Sequence, residues 1–366
     1  MCYNEFANST KEDLIVKTIA VIGCGRIARI AHLPALSKLE NVRVKYACDL
    51  IEEKAQALKN DFPVIETVIT DYKVALADDE VDAVFVLTPN FSHYTITMDA
   101  LRAGKHVMCE KPITVNYELS CEMAAEAEKQ GKILNIGVCN RYSRAVEMLH
   151  DWVKEEKFGN LYHVYCSFRN FRSIPGLGGA FTTKEMSGGG VLIDWGVHFL
   201  DLILYVLDGA KLKSVTCDAY CEMAKDMKAY KYTSMWAEDT ADVEHGTNDV
   251  DDFISGHIRT DKASISFNGA WAQNINRNEM FIDFLGDKGG ARLNYGQKFT
   301  FWSGDTLEEI IPEFDLPVHY HLEDAAFIES VETGVKDKNN IENILESSKL
   351  LDALYASAKE KKELTF

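Results

Sequence analysis

The stretch Ile19-Ala20-Val21-Ile22-Gly23-Cys24-Gly25-Arg26-Ile27-Ala28 decides how the first part of the chain folds. A short apolar run ends in a Gly-x-Gly-x-x-Ala turn, and an amphipathic segment follows the turn. Gly23 permits the tight turn, Gly25 lets a pyrophosphate approach the backbone, and Ala28 lets helix and strand pack closely. The free amides and the positive end of the helix attract phosphate groups, so the stretch predicts a dinucleotide site. The cofactor contacts predicted here are Gly23, Gly25, Arg26 and Ile27.

Short β-rich runs and amphipathic helical runs alternate from Thr18 onward. This alternation predicts a parallel sheet with helices on both faces. Asp71 and Thr114 lie where two of the helices would need N-caps. The predicted strands are 19–22, 42–48, 64–69, 83–88, 106–110 and 134–138. The predicted helices are 27–39, 52–60, 72–77, 92–103 and 115–130.

Asp49 ends the second predicted strand and complements the glycine turn that follows the first. It lies roughly 20 residues beyond Gly25, the spacing expected of an acid that binds the ribose hydroxyls of a dinucleotide. A carboxylate there repels a 2′-phosphate, and Leu50 and Ile51 supply no arginine to receive one. The sequence therefore favours NAD over NADP as the cofactor.

Two further strand ends carry polar residues, and ligands bind at this edge of open α/β sheets. Thr88-Pro89-Asn90 follows the fourth strand, with His93 one helical turn later. Glu110-Lys111-Pro112 follows the fifth, where the proline limits the backbone and holds the lysine at one angle. Taken alone, the tripeptide also fits a surface turn, and His93 also fits a packed histidine. The further cofactor contacts predicted are Thr88, Asn90, His93, Glu110 and Lys111.

The overall composition limits the classes of protein that the chain can represent. Its 366 residues predict two domains, and 46% hydrophobic with 26% charged residues is typical of a soluble globular protein. The net charge of −18 opposes binding to nucleic acid or an anionic membrane. No apolar run approaches the roughly 20 residues that cross a membrane. The first 17 residues are polar and acidic, so we expect an arm rather than a secretory signal.

The nine cysteines are scattered and never form a Cys-x-x-Cys pair. This pattern favours reduced thiols in a cytoplasm over a disulfide framework or a zinc site. His319-Tyr320-His321 could supply metal ligands, but a loop that precedes a helix is the simpler interpretation. We therefore predict no metal.

Beyond Val138 the pattern changes to consecutive strands with hairpin-length turns, which predicts an α+β domain with a large, mostly antiparallel sheet. We divide the chain into an arm (1–17), a Rossmann NAD-binding domain (18–139) and a substrate-binding and oligomerisation domain (140–366). A sheet without a second covering layer pairs readily with a twin, so we expect a homo-oligomer, either a dimer or a tetramer. The loop 174–179, which is rich in glycine, is expected to be mobile and to close over a substrate.

The most chemically suggestive stretch of the second domain runs from Ser187 to His198 and contains Gly188-Gly189-Gly190. The glycines predict a helix start that approaches a ligand closely. Asp194 and His198 are four residues apart, so they project from one helix face. A histidine can carry a proton near neutral pH, and a carboxylate beside it can orient it. The alternatives are a surface pair of little energetic value and a zinc site, for which two ligands are insufficient.

Together these motifs resemble the Gfo/Idh/MocA oxidoreductases, the group of glucose–fructose oxidoreductase and inositol dehydrogenase. The resemblance covers almost the whole chain from Thr18. It implies hydride transfer between nicotinamide and a carbinol carbon of a sugar, glycoside or cyclitol. It also implies that Lys111, Asp194 and His198 are catalytic. Substrate contacts carried over in the same way are Arg141, Asn170 and Trp195.

Two other functions fit the same motifs. A redox-neutral enzyme would keep its cofactor bound and process glycosides or transfer reducing equivalents between two substrates. A dinucleotide-binding regulator would have no turnover, although the intact set of Lys111, Asp194 and His198 argues against that function. The leading prediction is an NAD-dependent dehydrogenase with a small-molecule sugar or polyol substrate and no nucleic acid or membrane partner.

Overall fold

The computed structural model describes residues 16–366, and its first sheet contains six strands. They are β1 (Lys17–Ile22), β2 (Val42–Cys48), β3 (Thr67–Ile69), β4 (Ala83–Val86), β5 (His106–Glu110) and β6 (Leu134–Gly137). All neighbours are parallel, in the order β3-β2-β1-β4-β5-β6. The order reverses between β1 and β4, and dinucleotides bind at such a reversal. The glycine turn and the turns after β4 and β5 therefore meet at one edge.

Helices connect these strands and cover both faces of the sheet. They are α1 (Leu33–Leu36), α2 (Glu52–Asp61), α3 (Tyr72–Leu76), α4 (Asn90–Arg102) and α5 (Tyr117–Gln130). A wide turn, Ala28–His32, precedes α1. Asp71 caps α3 as predicted, accepting a 2.9 Å hydrogen bond from the Lys73 amide. The prediction of Thr114 as a cap was wrong, because Asn116 accepts the Leu119 amide at 3.0 Å and begins α5.

The second sheet has nine strands. They are β7 (Leu161–Arg169), β8 (Leu212–Tyr220), β9 (Phe253–Thr260), β10 (Ser264–Ala270), β11 (Glu279–Gly286), β12 (Gly289–Asn294), β13 (Phe299–Ser303), β14 (Glu309–Ile310) and β15 (Leu364–Thr365). Their order is β14-β13-β12-β11-β7-β10-β9-β8-β15. Within the described strands of this second sheet only the β7–β10 pair is parallel, so the predicted mostly antiparallel sheet is confirmed.

Helices cover one face of the second sheet. They are α6 (Arg144–Lys154), α8 (Val197–Val206) and α10 (Leu345–Glu360), and a wide turn, Leu192–Gly196, precedes α8. Their apolar side chains and the inward residues of the strands form one core. The short helix α7 (Lys184–Ser187) contacts α4 of the first domain instead. The helical stretch 184–206 is apolar enough to cross a membrane by composition, but 78% of its most apolar window is buried, as in a core helix. The opposite face of the sheet carries exposed aromatic residues.

The chain returns to the first domain at α9 (His319–Thr333). Phe327 contacts Phe85 of β4 edge to face, with ring centroids 5.4 Å apart, and Ile328 joins the same core. The packing of α9 therefore differs from the predicted division at residue 140, since this later segment completes the nucleotide-binding domain. Local sequence patterns did not indicate this return.

The packing of α9 generates a stability prediction. Phe327→Ala removes a fully buried ring from the nucleotide-binding domain and should lower its free energy of unfolding by about 3–5 kcal/mol. Leu322→Ala is the control, because Leu322 lies on the same helix and is 40% exposed. Urea unfolding followed by fluorescence measures both variants. Equal losses of unfolding free energy in the two variants would contradict the assignment of α9 to this core.

Candidate active site

The glycine turn after β1 has the geometry that a dinucleotide requires. Gly23 has a φ of +99°, and a Cβ there would lie 2.6 Å from the Leu87 carbonyl oxygen. By contrast, no atom lies within 4 Å of the position that a Cβ on Gly25 would occupy. The amides of the helix that begins at Ile27 have no side-chain cap. These residues therefore fit a bound pyrophosphate, which would supply the missing hydrogen-bond acceptors.

Asp49 lies beside the glycine turn, where the sequence places it. Its Oδ2 accepts a 2.9 Å hydrogen bond from the Cys24 amide, and its Oδ1 accepts a 3.0 Å bond from the Ile51 amide. The carboxylate is half-buried and reaches the edge of the sheet. Arg26 points away from the core, and its guanidinium lies 4.3 Å from the ring centroid of Trp236. This contact joins the glycine turn to the segment between β8 and β9.

The polar residues after β4 connect the two domains. Asn90 Nδ2 donates to the Ser187 carbonyl oxygen at 2.8 Å, and Thr88 Oγ1 accepts from Ser92 at 2.7 Å. His93 is buried, and both ring nitrogens lie 2.8 Å from carbonyl oxygens, those of Pro112 and Thr88. Both ring nitrogens are thus occupied by protein carbonyls. His93 thereby ties the β4 turn to the β5 turn, and its role as a cofactor contact stays a prediction.

The protonation of His93 follows from these partners. Burial alone would lower its pKa, but the neighbouring Cys109 and the two carbonyl oxygens raise it to about 9. A protonated imidazole can donate to both carbonyls at once. His93 therefore fixes the backbone beside Lys111.

Glu110 is also turned toward the protein interior. It is 4% exposed, its Oε2 accepts from the Lys111 amide at 2.9 Å, and its Oε1 lies 3.1 Å from His32 Nε2. The other nitrogen of His32 lies 2.9 Å from Asp324 Oδ1 on α9. The Glu110 side chain therefore anchors the Lys111 turn to α9 through His32, and the predicted cofactor contact of this residue stays a prediction.

His32 lies within the wide turn Ala28–His32, fully buried between two carboxylates. Burial lowers its pKa, but Asp324 and Glu110 outweigh burial and raise the pKa well above its usual range. His32 is thus a buried cation, and removing one member of such a pair leaves uncompensated buried charge. The network of Glu110, His32 and Asp324 therefore holds the Lys111 turn from the interior side of the protein.

The two domains meet at Lys111. Its Nζ lies 3.2 Å from Asp194 Oδ1 and 3.2 Å from the Asp194 carbonyl oxygen, and both side chains are 16% exposed. The second carboxylate oxygen of Asp194 accepts a 3.2 Å hydrogen bond from Trp271 Nε1. The lysine and the carboxylate predicted from separate motifs are therefore in contact. Trp271 was missed, because nothing in a strand-like sequence indicates which way its indole points.

His198 lies in the first turn of α8, directly after the wide turn that contains Asp194. Its Nδ1 lies 3.1 Å from the Asn140 amide, a contact that the sequence did not predict. Burial and the nearby Lys111 lower the pKa of His198 well below its usual range. The ring is therefore neutral at pH 7 and able to accept a proton. Wide helical turns recur at functional sites, and here one holds Asp194.

The three glycines before this turn serve the protein's own packing. Asp251 accepts hydrogen bonds from the amides of Gly190 at 2.8 Å and Leu192 at 2.9 Å, and Tyr355 donates to the same carboxylate at 2.9 Å. A Cβ on Gly189 would clash with the Tyr355 hydroxyl. The expectation that the glycines approach a ligand is corrected, since they let Asp251 and Tyr355 hold the start of the helix.

The predicted substrate residues have different outcomes. Arg141 is buried and binds Asp201 with Nε at 2.8 Å and Nη2 at 2.7 Å, while Nη1 donates to the Lys338 carbonyl. Its guanidinium is fully engaged in an interior ion pair, which argues against the substrate contact predicted for Arg141. Asn170 is buried at the end of β7, and its side-chain oxygen has no partner among residues 16–366. Trp195 is half-buried and packs against the core between the second sheet and its helices.

The loop 174–179 also differs from its expectation. Ile174 and Leu177 are buried, and the Leu177 carbonyl accepts from the Asp242 amide at 3.0 Å. The loop is therefore packed against the segment between β8 and β9. Within residues 16–366, no group of three or more side chains is arranged to hold a metal ion.

Comparisons with known proteins agree with this geometry. Residues 17–138 match the model described as "Oxidoreductase family, NAD-binding Rossmann fold", and residues 146–292 match the "GFO/IDH/MocA C-terminal domain". D-glucoside 3-dehydrogenase of Escherichia coli (strain K12) is 32% identical over 289 residues, which are 79% of this chain and 80% of that protein. The chain belongs to the Gfo/Idh/MocA oxidoreductase family. The predicted family, two-domain fold and enzyme class are confirmed.

Other similarities extend over the same region of this Gfo/Idh/MocA chain. A putative UDP-kanosamine synthase oxidoreductase subunit of Amycolatopsis mediterranei (strain S699) is 31% identical over 279 residues, which are 75% of this chain and 74% of that protein. A solved levoglucosan dehydrogenase in complex with NADH and levoglucosan has a TM-score of 0.82 at 18% identity. That alignment covers 95% of this chain and 99% of the other, and it shows the shared fold.

The His32 network predicts how stability depends on pH. Because the folded pKa exceeds the usual 6.5, the stabilisation by His32 is complete below pH 6.5 and is lost as pH rises toward the folded value. The difference in unfolding free energy between the wild type and His32→Asn should be constant below pH 6.5. Above it, the difference should shrink by up to about 1.4 kcal/mol per pH unit.

Chemical denaturation from pH 5 to 9 measures this difference, with His321→Asn as the control. His321 lies on α9 near Asp324 but is not buried, so its replacement should change stability little. A difference for His32→Asn that grows with pH would show that His32 is neutral in the folded protein.

Proposed function

We propose that the protein is an NAD-dependent dehydrogenase that oxidises a ring CH–OH group of a sugar, and that its substrate is a D-glucoside oxidised at C3. One observation carries the proposal: Lys111 and Asp194, from different domains, form a pair that is only 16% exposed, close to the neutral His198. The substrate class and ring position are supported by the 32% identity to D-glucoside 3-dehydrogenase over 79% of the chain.

The three residues have complementary tasks in such an oxidation. Bound NAD would supply the acceptor for the hydride that leaves the substrate carbon. His198 accepts the hydroxyl proton, for which its lowered pKa leaves a free lone pair. Lys111 donates a hydrogen bond to the reacting oxygen and favours its alkoxide character. Asp194 holds Lys111 at 3.2 Å and binds a neighbouring hydroxyl.

The preference for NAD rests on the surroundings of Asp49. Its carboxylate lies where the ribose hydroxyls would bind and opposes a 2′-phosphate. Leu50, which follows it, is 91% exposed and offers no positive charge. The remaining proposed cofactor contacts are Gly23, Gly25, Arg26, Ile27, Thr88, Asn90 and Lys111.

We also propose a cytoplasmic homo-oligomer, a dimer or a tetramer. The uncovered face of the second sheet exposes Tyr162 (52%), Tyr165 (38%) and Trp302 (44%). Contiguous aromatic residues on a β-sheet face are characteristic of protein interfaces. The same face on a second copy of the chain is its natural partner in a two-fold arrangement.

A substrate panel tests the proposed function. Purified protein is incubated with NAD and with methyl D-glucosides, free sugars and cyclitols, and both NADH and product are measured. We expect NADH and a 3-keto glucoside in equal amounts. Product without NADH would instead support a redox-neutral enzyme with a retained cofactor. No product from any substrate, with NAD bound, would support a regulator.

Lys111→Ala tests the catalytic assignment. Loss of the hydrogen bond to the reacting oxygen should lower kcat by roughly 10²–10⁴-fold, while the Kd for NAD, measured by calorimetry, should change less than about threefold. Lys129→Ala is the control, because its side chain is 70% exposed on α5. A Lys111→Ala variant with wild-type kcat would overturn the role of the lysine.

Asp49→Asn tests cofactor choice. The asparagine oxygen can still accept from the Cys24 amide, so this tie to the glycine turn is kept while the negative charge and the acceptor for the Ile51 amide are removed. NAD should bind about 10-fold more weakly, because hydrogen bonds to a charged group contribute about 1.5–3 kcal/mol. NADP should bind equally well or better, since the charge repulsion is gone. Parallel losses for both cofactors in calorimetry would contradict a ribose contact.

A further inference from the structure

Asn140 forms a bridge that none of the motifs indicates. It lies in the short turn Cys139–Tyr142 between the two sheets and is 9% exposed. One end of its amide lies 3.1 Å from His198 Nδ1 and 3.0 Å from the Tyr295 hydroxyl oxygen. The Tyr295 ring stacks on Phe199, with ring centroids 4.3 Å apart, so the tyrosine is held in place. One ring nitrogen of His198, Nδ1, is therefore already occupied, and Nε2 is the nitrogen left for a substrate.

The proposed proton transfer decides whether the oxygen or the nitrogen of the Asn140 amide must face His198. If Nε2 takes the substrate proton, Nδ1 carries hydrogen both before the transfer, in the neutral ring, and after it, in the imidazolium. Only an oxygen can accept from Nδ1–H. The end that faces His198 carries Nδ2 in the structure, and a half-turn of the amide places Oδ1 at the same position. There it accepts from both Nδ1–H and the Tyr295 hydroxyl.

We propose that Asn140, held by Tyr295, is a positioning residue that keeps hydrogen on His198 Nδ1 and leaves Nε2 free for the substrate proton. This proposal rests on the proposed function. In the oxidation the O–H bond breaks, its proton moves to Nε2 and its electron pair forms the C=O bond. The C–H electron pair leaves with the hydride to NAD. The Nδ1–H···Oδ1 bond of Asn140 persists throughout.

An amide suits this position better than a carboxylate would. The titratable groups around His198 are Lys111 at the end of β5, Asp194 in the wide turn, Tyr295 after β12, and Cys139 beside Asn140. The Lys111 charge favours a neutral ring, and an uncharged amide does not oppose it. A carboxylate in contact with Nδ1–H would favour the imidazolium, which cannot accept the substrate proton.

Three variants test the proposal. In Asn140→Leu, kcat should fall about 10- to 100-fold, the range found for groups that orient a functional histidine, with the Kd for NAD unchanged. In Asn140→Asp, activity should persist, but the acid limb of the kcat/KM profile should move about one pH unit or more upward. Tyr295→Phe should lie between the wild type and Asn140→Leu. Asn60→Leu, on the surface of α2, is the control.

A second measurement separates this proposal from the proposed function. Imidazole ¹⁵N spectra of histidine-labelled protein, with His198 assigned from a His198→Gln variant, report the tautomer without any substrate. Hydrogen on Nδ1 in the wild type and a mixture in Asn140→Leu would support the proposal, even if every glucoside fails to react. Hydrogen on Nε2 in the wild type would overturn it. An unshifted acid limb in active Asn140→Asp would do the same.

Discussion

The contact between Lys111 and Asp194 is the interaction on which the site depends, because each domain supplies one of its two members. Neither charge is fully buried, so the pair is not mainly a source of stability. The pair matters because of where it lies. It places the Lys111 ammonium group at the edge of the first sheet, next to the glycine turn and close enough to His198 to lower the pKa of that ring. Hydride transfer needs such alignment, since oriented groups in a closed cleft lower the barrier far more than loose ones.

Most buried polar groups near the cleft hold this pair rather than meet a ligand. His93 and Glu110 fix the backbone on the Lys111 side, and Glu110 is tied through His32 to α9. On the other side, Asp251 holds the start of the helical stretch that carries Asp194, and Trp271 orients the Asp194 carboxylate. The return of α9 to the first domain explains why the chain does not divide cleanly at residue 140.

The sequence predicted the parts of the site that local chemistry determines. Gly23 and Asp49 follow from the turn and the strand ends, and the proposed catalytic residues came from a resemblance between motifs. The sequence did not predict which polar side chains would pair with other protein groups in the interior. Arg141 was expected to contact substrate only from the family resemblance, and its partner Asp201 lies 60 positions away on α8, beyond the reach of any local pattern. Trp271 and Asn140 were missed for the same reason, since their partners are determined by tertiary packing alone.

Deuterium transfer tests the central claim, that the residues around Lys111 direct a hydride from a ring carbon of a glucoside to NAD. A methyl D-glucoside with deuterium at C3 is turned over by the wild-type protein, and the recovered nicotinamide is analysed by mass spectrometry. The account predicts that the NADH formed carries the label and that turnover is slower than with the unlabelled glucoside. Unlabelled NADH, formed at the same rate from the same substrate, would contradict it.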